Sequence, residues 1–141
     1  LRSYRDATIR GGAYENSNYG DDPILETRAS NDDVYVRRAV LMFATAEALP
    51  SSAEISSAKL ILTVKTGNSQ SRTLTACAVP VSFREPDVTW RMRDADSRWA
   101  HAGGDIVSGD CSSATVTVKE PGFSAYHCNI HSSMHGTIKA T

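Results

Sequence analysis

The chain has 141 residues, with 15 Lys and Arg against 16 Asp and Glu and a formal net charge of -1. That length suits one domain able to bury its own core, while the charge offers neither a field for phosphate backbones nor a polybasic anchor for a membrane surface. Nucleic acid is excluded as the expected partner, and no apolar run reaches the roughly 20 residues of a membrane-spanning helix.

Taken in chain order, the predicted elements are almost all strands. "YRDATI" (4–9) and "ILETR" (24–28) are short candidates; "VYVRRAVLMF" (34–43), "AKLILTVKT" (58–66) and "TLTACAVPV" (73–81) are longer, β-branched or aliphatic, and partly alternating. "TVTVK" (115–119), "FSAYHC" (123–128) and "GTIKAT" (136–141) follow. "ATAEALPSSAE" (44–54) holds at most a short helical turn, because Pro50 interrupts it. Gly, Asn, Ser and Pro clusters separate the strands, and no repeat of 20 to 50 residues is present. The expected fold is therefore all-β: a single domain over 1–141, an antiparallel β-sandwich of jelly-roll or Greek-key type. The loops "GGAYENSNYGDDP" (11–23) and "RASNDD" (28–33) gather oxygens that suit either calcium or ordinary tight turns.

Three cysteines leave one over after a single pairing. Cys77 and Cys111 are the candidate disulfide; alternatively both are small buried hydrophobes. The first residue is Leu1, which fits either a fragment or an exported chain whose leader has been removed. Export is the expectation, with a secreted or cell-surface location.

Residues 1 to about 105 resemble the DNRLRE domain family, extracellular β-sandwich modules related to disaggregatase repeats and carbohydrate-binding modules. The resemblance is carried by the Asn18-Tyr19-Gly20 turn, the Arg37-Arg38 pair before an apolar strand, Ser57-Ala58-Lys59-Leu60 and Val88-Thr89-Trp90, in that order. It implies a secreted, jelly-roll-like module without a catalytic centre, so the chain is not expected to be an enzyme. Sugar binding uses aromatic faces against pyranose rings with polar groups reading the hydroxyls. Tyr14, Tyr19, Tyr35 and Trp99 are the candidates for that role, and Trp90 is a further aromatic that equally suits the core.

The chain closes on a different pattern. Three of its four His, one of its three Cys and one of its three Met fall within residues 127–135. Cys128, His131 and Met134 make a Cys-x2-His-x2-Met arrangement between "FSAYHC" and "GTIKAT", two strand candidates expected to neighbour one another. A thiolate, two imidazoles and a weak thioether suit copper in both oxidation states. Zinc would draw on His127, Cys128, His131 and His135 instead.

From "DVTW" (87–90) through "VTVKEPGFSAYHC" (116–128) to "IHSSMHGTI" (130–138), the chain resembles the cupredoxins, the amicyanin-like blue copper proteins in particular. The resemblance implies His101, Cys128, His131 and Met134 as copper ligands, with residues 106–141 as cupredoxin-like closing strands.

Two functions are expected from these patterns. One is copper binding or electron transfer with a redox partner protein. The alternative is a non-catalytic extracellular module that binds polysaccharide or builds a surface filament. Because the front and back resemble different families, neither with its full strand set, self-assembly by strand addition at an open edge is a further expectation.

Overall fold

A computed structural model describes residues 2–54, 60–64, 71–116, 122–127 and 135–140. It is mostly strand, with seven strands and three short helical turns among the described residues, and it divides into two compact units. One comprises Leu1–Ser52 and Val79–Ile106; the other comprises Ala53–Ala78 and Val107–Thr141. No described helix is long and apolar enough to cross a membrane.

The first unit is organised by β1 (Ser3–Arg10) and β2 (Arg37–Phe43), an antiparallel pair with Ala7 opposite Val40 and Arg10 opposite Arg37. Alternation along β1 sends Ala7 and Ile9 to one face, where they are almost fully buried with Val36, Val40, Phe83, Val88, Trp90 and Trp99. Thr8 points the other way yet is also buried, since its Oγ1 accepts a hydrogen bond from the Glu26 amide 2.9 Å away. The segment around residue 26 thus covers the outer face of β1.

The predicted strand at 34–43 begins later than its composition suggests. Val34 and Tyr35 lie in a 3-10 turn, Asp33–Tyr35, whose start is capped by the Asp32 side chain accepting from the Val34 amide. An Asx turn has outcompeted β-propensity there. "ILETR" contributes only a bridge, in which Arg28 and Arg37 exchange both backbone hydrogen bonds at 3.0 Å. The 44–54 segment forms one α-helical turn, α1 (Thr45–Ala48), which stops before Pro50.

Residues 79–106 complete this core without regular strands. Asn18 donates through Nδ2 to the carbonyls of Glu85 and Val88, and Thr89 Oγ1 accepts from the amides of Arg91 and Met92. Gly103 is required where it stands: its φ is +89°, its amide donates to the Trp90 carbonyl at 2.6 Å, and a Cβ there would sit 2.7 Å from the Trp90 ring. Arg38 lies over that same ring at 4.9 Å and donates to the Gly103 carbonyl. Two residues on, Asp105 accepts from the amides of Ala100 and His101 at 3.1 and 2.7 Å. Burial alone would raise the Asp105 carboxyl, but the amide donors and the nearby imidazole outweigh it and hold it below the ordinary aspartate range.

The second unit holds β3 (Leu62–Val64), β4 (Arg72–Cys77), β5 (Cys111–Val116), β6 (Gly122–His127) and β7 (His135–Ala140). β4 and β5 pair antiparallel, as do β6 and β7, whereas β3 pairs with β7 in parallel. That parallel pair departs from the wholly antiparallel expectation. β7 takes β6 as its hairpin partner on one edge, and its other edge receives a strand from far earlier in the chain, which a long crossover allows to run in the same direction.

Cys77 ends β4, Cys111 begins β5, and their sulfurs are bonded across the register. Hydrogen bonds from Ala78 N–H to the Asp110 carbonyl and from Val107 N–H to the Ala78 carbonyl extend the clasp. In sequence, the loop closed by this bond carries Phe83, Val88, Trp90 and Trp99, half of the buried apolar side chains in the first unit.

Two outcomes follow from this arrangement. Replacing Cys77 and Cys111 together by Ser removes a constraint on a 34-residue separation, and denaturant unfolding is expected to show a loss of about 3–4 kcal/mol on the loop-entropy scale. Asp105→Ala is expected to cost about 1 kcal/mol through the loss of two hydrogen bonds to solvent-accessible amides. Because the folded carboxyl titrates below its unfolded value, the Asp105 contribution is full above the ordinary aspartate range and disappears as pH falls through the depressed value. The difference in melting temperature between wild type and Asp105→Ala should therefore shrink in acid.

Candidate functional site

The end of β1, the turn that follows it and the start of β2 surround an open cleft of about 170 Å³. Gly12 makes the geometry possible: its φ of +66° lets the chain leave β1 and turn at once into the 3-10 turn Gly12–Tyr14 against Val34. The Gly11 amide donates to the Val36 carbonyl at 3.1 Å, tying that turn to the one at Asp33–Tyr35. Each turn contributes a tyrosine to the cleft, and both rings are about half exposed: Tyr14 at 54% and Tyr35 at 52%. Val34, also half exposed, adds apolar surface beside them.

The charged part of the cleft is set by strand register. Arg10 is the β1 partner of Arg37, and Arg37 is the bridge partner of Arg28, so the three arginines form a row on one face of three adjacent segments. All three line the cleft. Like charges directly opposite one another are destabilising, and Glu26 relieves two of them: its Oε2 accepts from Arg10 Nη2 at 2.9 Å and from Arg37 Nη1 at 2.5 Å. Arg10 also lies over the Tyr19 ring at 4.0 Å, and Arg28 over Tyr35 at 5.2 Å. Arg28 is exposed and has no carboxylate partner among the described residues.

The residues singled out from sequence therefore separate. Tyr14 and Tyr35 are brought together. Tyr19 is half-buried, outside the cleft lining, and connected to it through Arg10. Trp99 is a correction: it is 4% exposed, with its Nε1–H donating to the Thr89 carbonyl at 3.0 Å, so it presents no face to a sugar and belongs to the core. Trp90, at 5% exposed, is core as well. Arg10 and Arg28 were missed because only strand pairing reveals that they share a face with Arg37, and Glu26 because only its ion pairs join it to them. Arg37 stood out as part of a motif, not as a site residue.

The metal expectations fare differently. The Asn18 amide oxygen accepts from the Gly20 amide, and Asp32 caps its own turn, so these oxygens of the two polar loops serve the backbone. Among the described residues no three His, Cys, Asp or Glu side chains gather in a way that could hold a metal ion. His101 is 86% exposed, with Nδ1 3.6 Å from Asp105 Oδ1. Cys128, His131 and Met134 lie outside the described residues. Around them, β6 and β7 pair as a hairpin with His127 opposite His135.

Comparison with known proteins bears on the choice between functions. No curated protein and no solved structure matches the chain. One family model does, over residues 1–102, which comprise most of the chain and contain the whole cleft. The match backs the polysaccharide-binding alternative over the copper-dependent reading, and it covers neither the residues proposed as thiolate and thioether donors nor the closing hairpin. On that match the chain belongs to carbohydrate-binding module family 96.

Proposed function

We propose that this chain is a non-catalytic, extracellular polysaccharide-binding module whose ligand lies in the cleft between Tyr14 and Tyr35. The observation that carries the reading is the joint placement of two half-exposed tyrosine rings, on turns closed by backbone hydrogen bonds, beside a cross-strand row of arginines. Phenol rings give apolar faces against which a pyranose packs, with hydroxyls for its rim. Arg28, exposed and free of any described carboxylate, gives the cleft an outward cation suited to an acidic substituent on the sugar. Membership of a carbohydrate-binding family supports the same reading. A β-sandwich for the whole chain is part of this proposal, as the architecture that would hold the cleft on a stable support.

Retention in polysaccharide-containing native gels tests it. Tyr14→Ala and Tyr35→Ala are each expected to weaken binding by about 2- to 10-fold, the worth of one aromatic contact, without changing the melting temperature by more than a few degrees. Retention unaffected by both substitutions would rule the cleft out.

A second reading, copper binding by the closing hairpin, is favoured by the register that sets His127 opposite His135, the residues that flank positions 128–134 in sequence. Cu(II) titration followed by visible absorption checks it: a thiolate charge-transfer band that vanishes in Cys128→Ser is the expected result.

A further inference from the structure

The arginine row is only partly neutralised, and the way it is neutralised is specific. A single oxygen, Glu26 Oε2, accepts from both Arg10 and Arg37. The backbone of Glu26 is anchored as well, since its amide donates to the buried hydroxyl of Thr8. Arg10 is held in addition by the Tyr19 ring, and its buried Nε has no hydrogen-bond partner among the described residues. Two of the three cations thus share one anion, which lies beside the cleft lining and bridges Arg10 and Arg37 as a ligand carboxylate could, while Arg28 is left outside the pairing.

We infer that Glu26 is a specificity-setting residue of the cleft: an internal carboxylate that competes with acidic sugars for Arg10 and Arg37 and leaves Arg28 as the one arginine of the row engaged by ligand. This rests on the reading that polysaccharide binds in the cleft. A guanidinium already paired with a carboxylate must exchange that partner before it can bind another, so it adds little net affinity. Glu26 also offsets the repulsion between the directly opposed Arg10 and Arg37 of β1 and β2. Its folding role and its tuning role come from the same contacts.

The test measures binding of a galacturonic-acid hexamer and a glucose hexamer by calorimetry at several salt concentrations, for wild type, Glu26→Gln, Glu26→Asp and Arg28→Gln. Glu26→Gln is expected to bind the acidic hexamer about tenfold more tightly, with a steeper fall in affinity as salt rises, while the neutral hexamer changes less than twofold. Glu26→Asp keeps the charge for folding but lacks the reach to hold both arginines, and is expected to fall between wild type and Glu26→Gln. Arg28→Gln should lose most of the salt dependence. If the Gln and Asp variants both retain wild-type affinity and salt slope for the acidic hexamer, with native circular dichroism, Glu26 is not the competitor and the inference is overturned. Should wild type bind neither hexamer while remaining folded, the cleft reading itself fails and takes this inference with it.

Discussion

Ala7 opposite Val40, both buried, is the pairing on which the cleft depends. Strand side chains alternate faces, so a slip of one residue between β1 and β2 would bring Thr8 opposite Val40 and take Val40 out of line with Ala7. The correct register has a cost elsewhere. It sets Arg10 directly against Arg37, and the bridge at Arg28 adds a third guanidinium to the row. The core therefore dictates the charge pattern of the surface at the strand end, and Glu26 is the local answer to it.

The same core supports the two tyrosines from beneath. Trp90 lies against Gly103 and under Arg38, and a Cβ on Gly11 would already touch its ring at 3.4 Å. Gly11 is hydrogen-bonded to Val36, and those two residues adjoin the turns that carry Tyr14 and Tyr35. Side chains that never meet ligand thus fix the spacing of those that would. A cleft built on turns gains precision this way, because each turn is closed by backbone bonds and backed by a close-packed indole.

Much of this was legible in the residues. The predominance of strands, the short turn before Pro50 and the hairpin between β6 and β7 follow from composition and alternation, and Tyr14, in a turn-rich loop, and Tyr35, at the start of a predicted strand, stood out as candidate sugar-stacking aromatics. Trp99 was misassigned for a physical reason: the sequence around it is polar, and nothing local shows that Thr89, ten residues earlier, offers a carbonyl to its indole N–H. The arginine row was illegible because its members, at 10, 28 and 37, become neighbours only through pairing. The closing cluster drew attention by local spacing alone, whereas the family match rests on residues 1–102 and does not reach it.

The burial of both indoles also governs what can be seen by eye and instrument. Trp90 and Trp99 are the chain's two tryptophans, each enclosed in the same hydrophobic cluster and neither lining the cleft. Intrinsic emission excited at the red edge consequently reports on the integrity of that cluster, shifting when the indoles meet water. A saccharide seated between the tyrosines would leave the signal nearly silent, so occupancy has to be followed by heat or migration rather than by light.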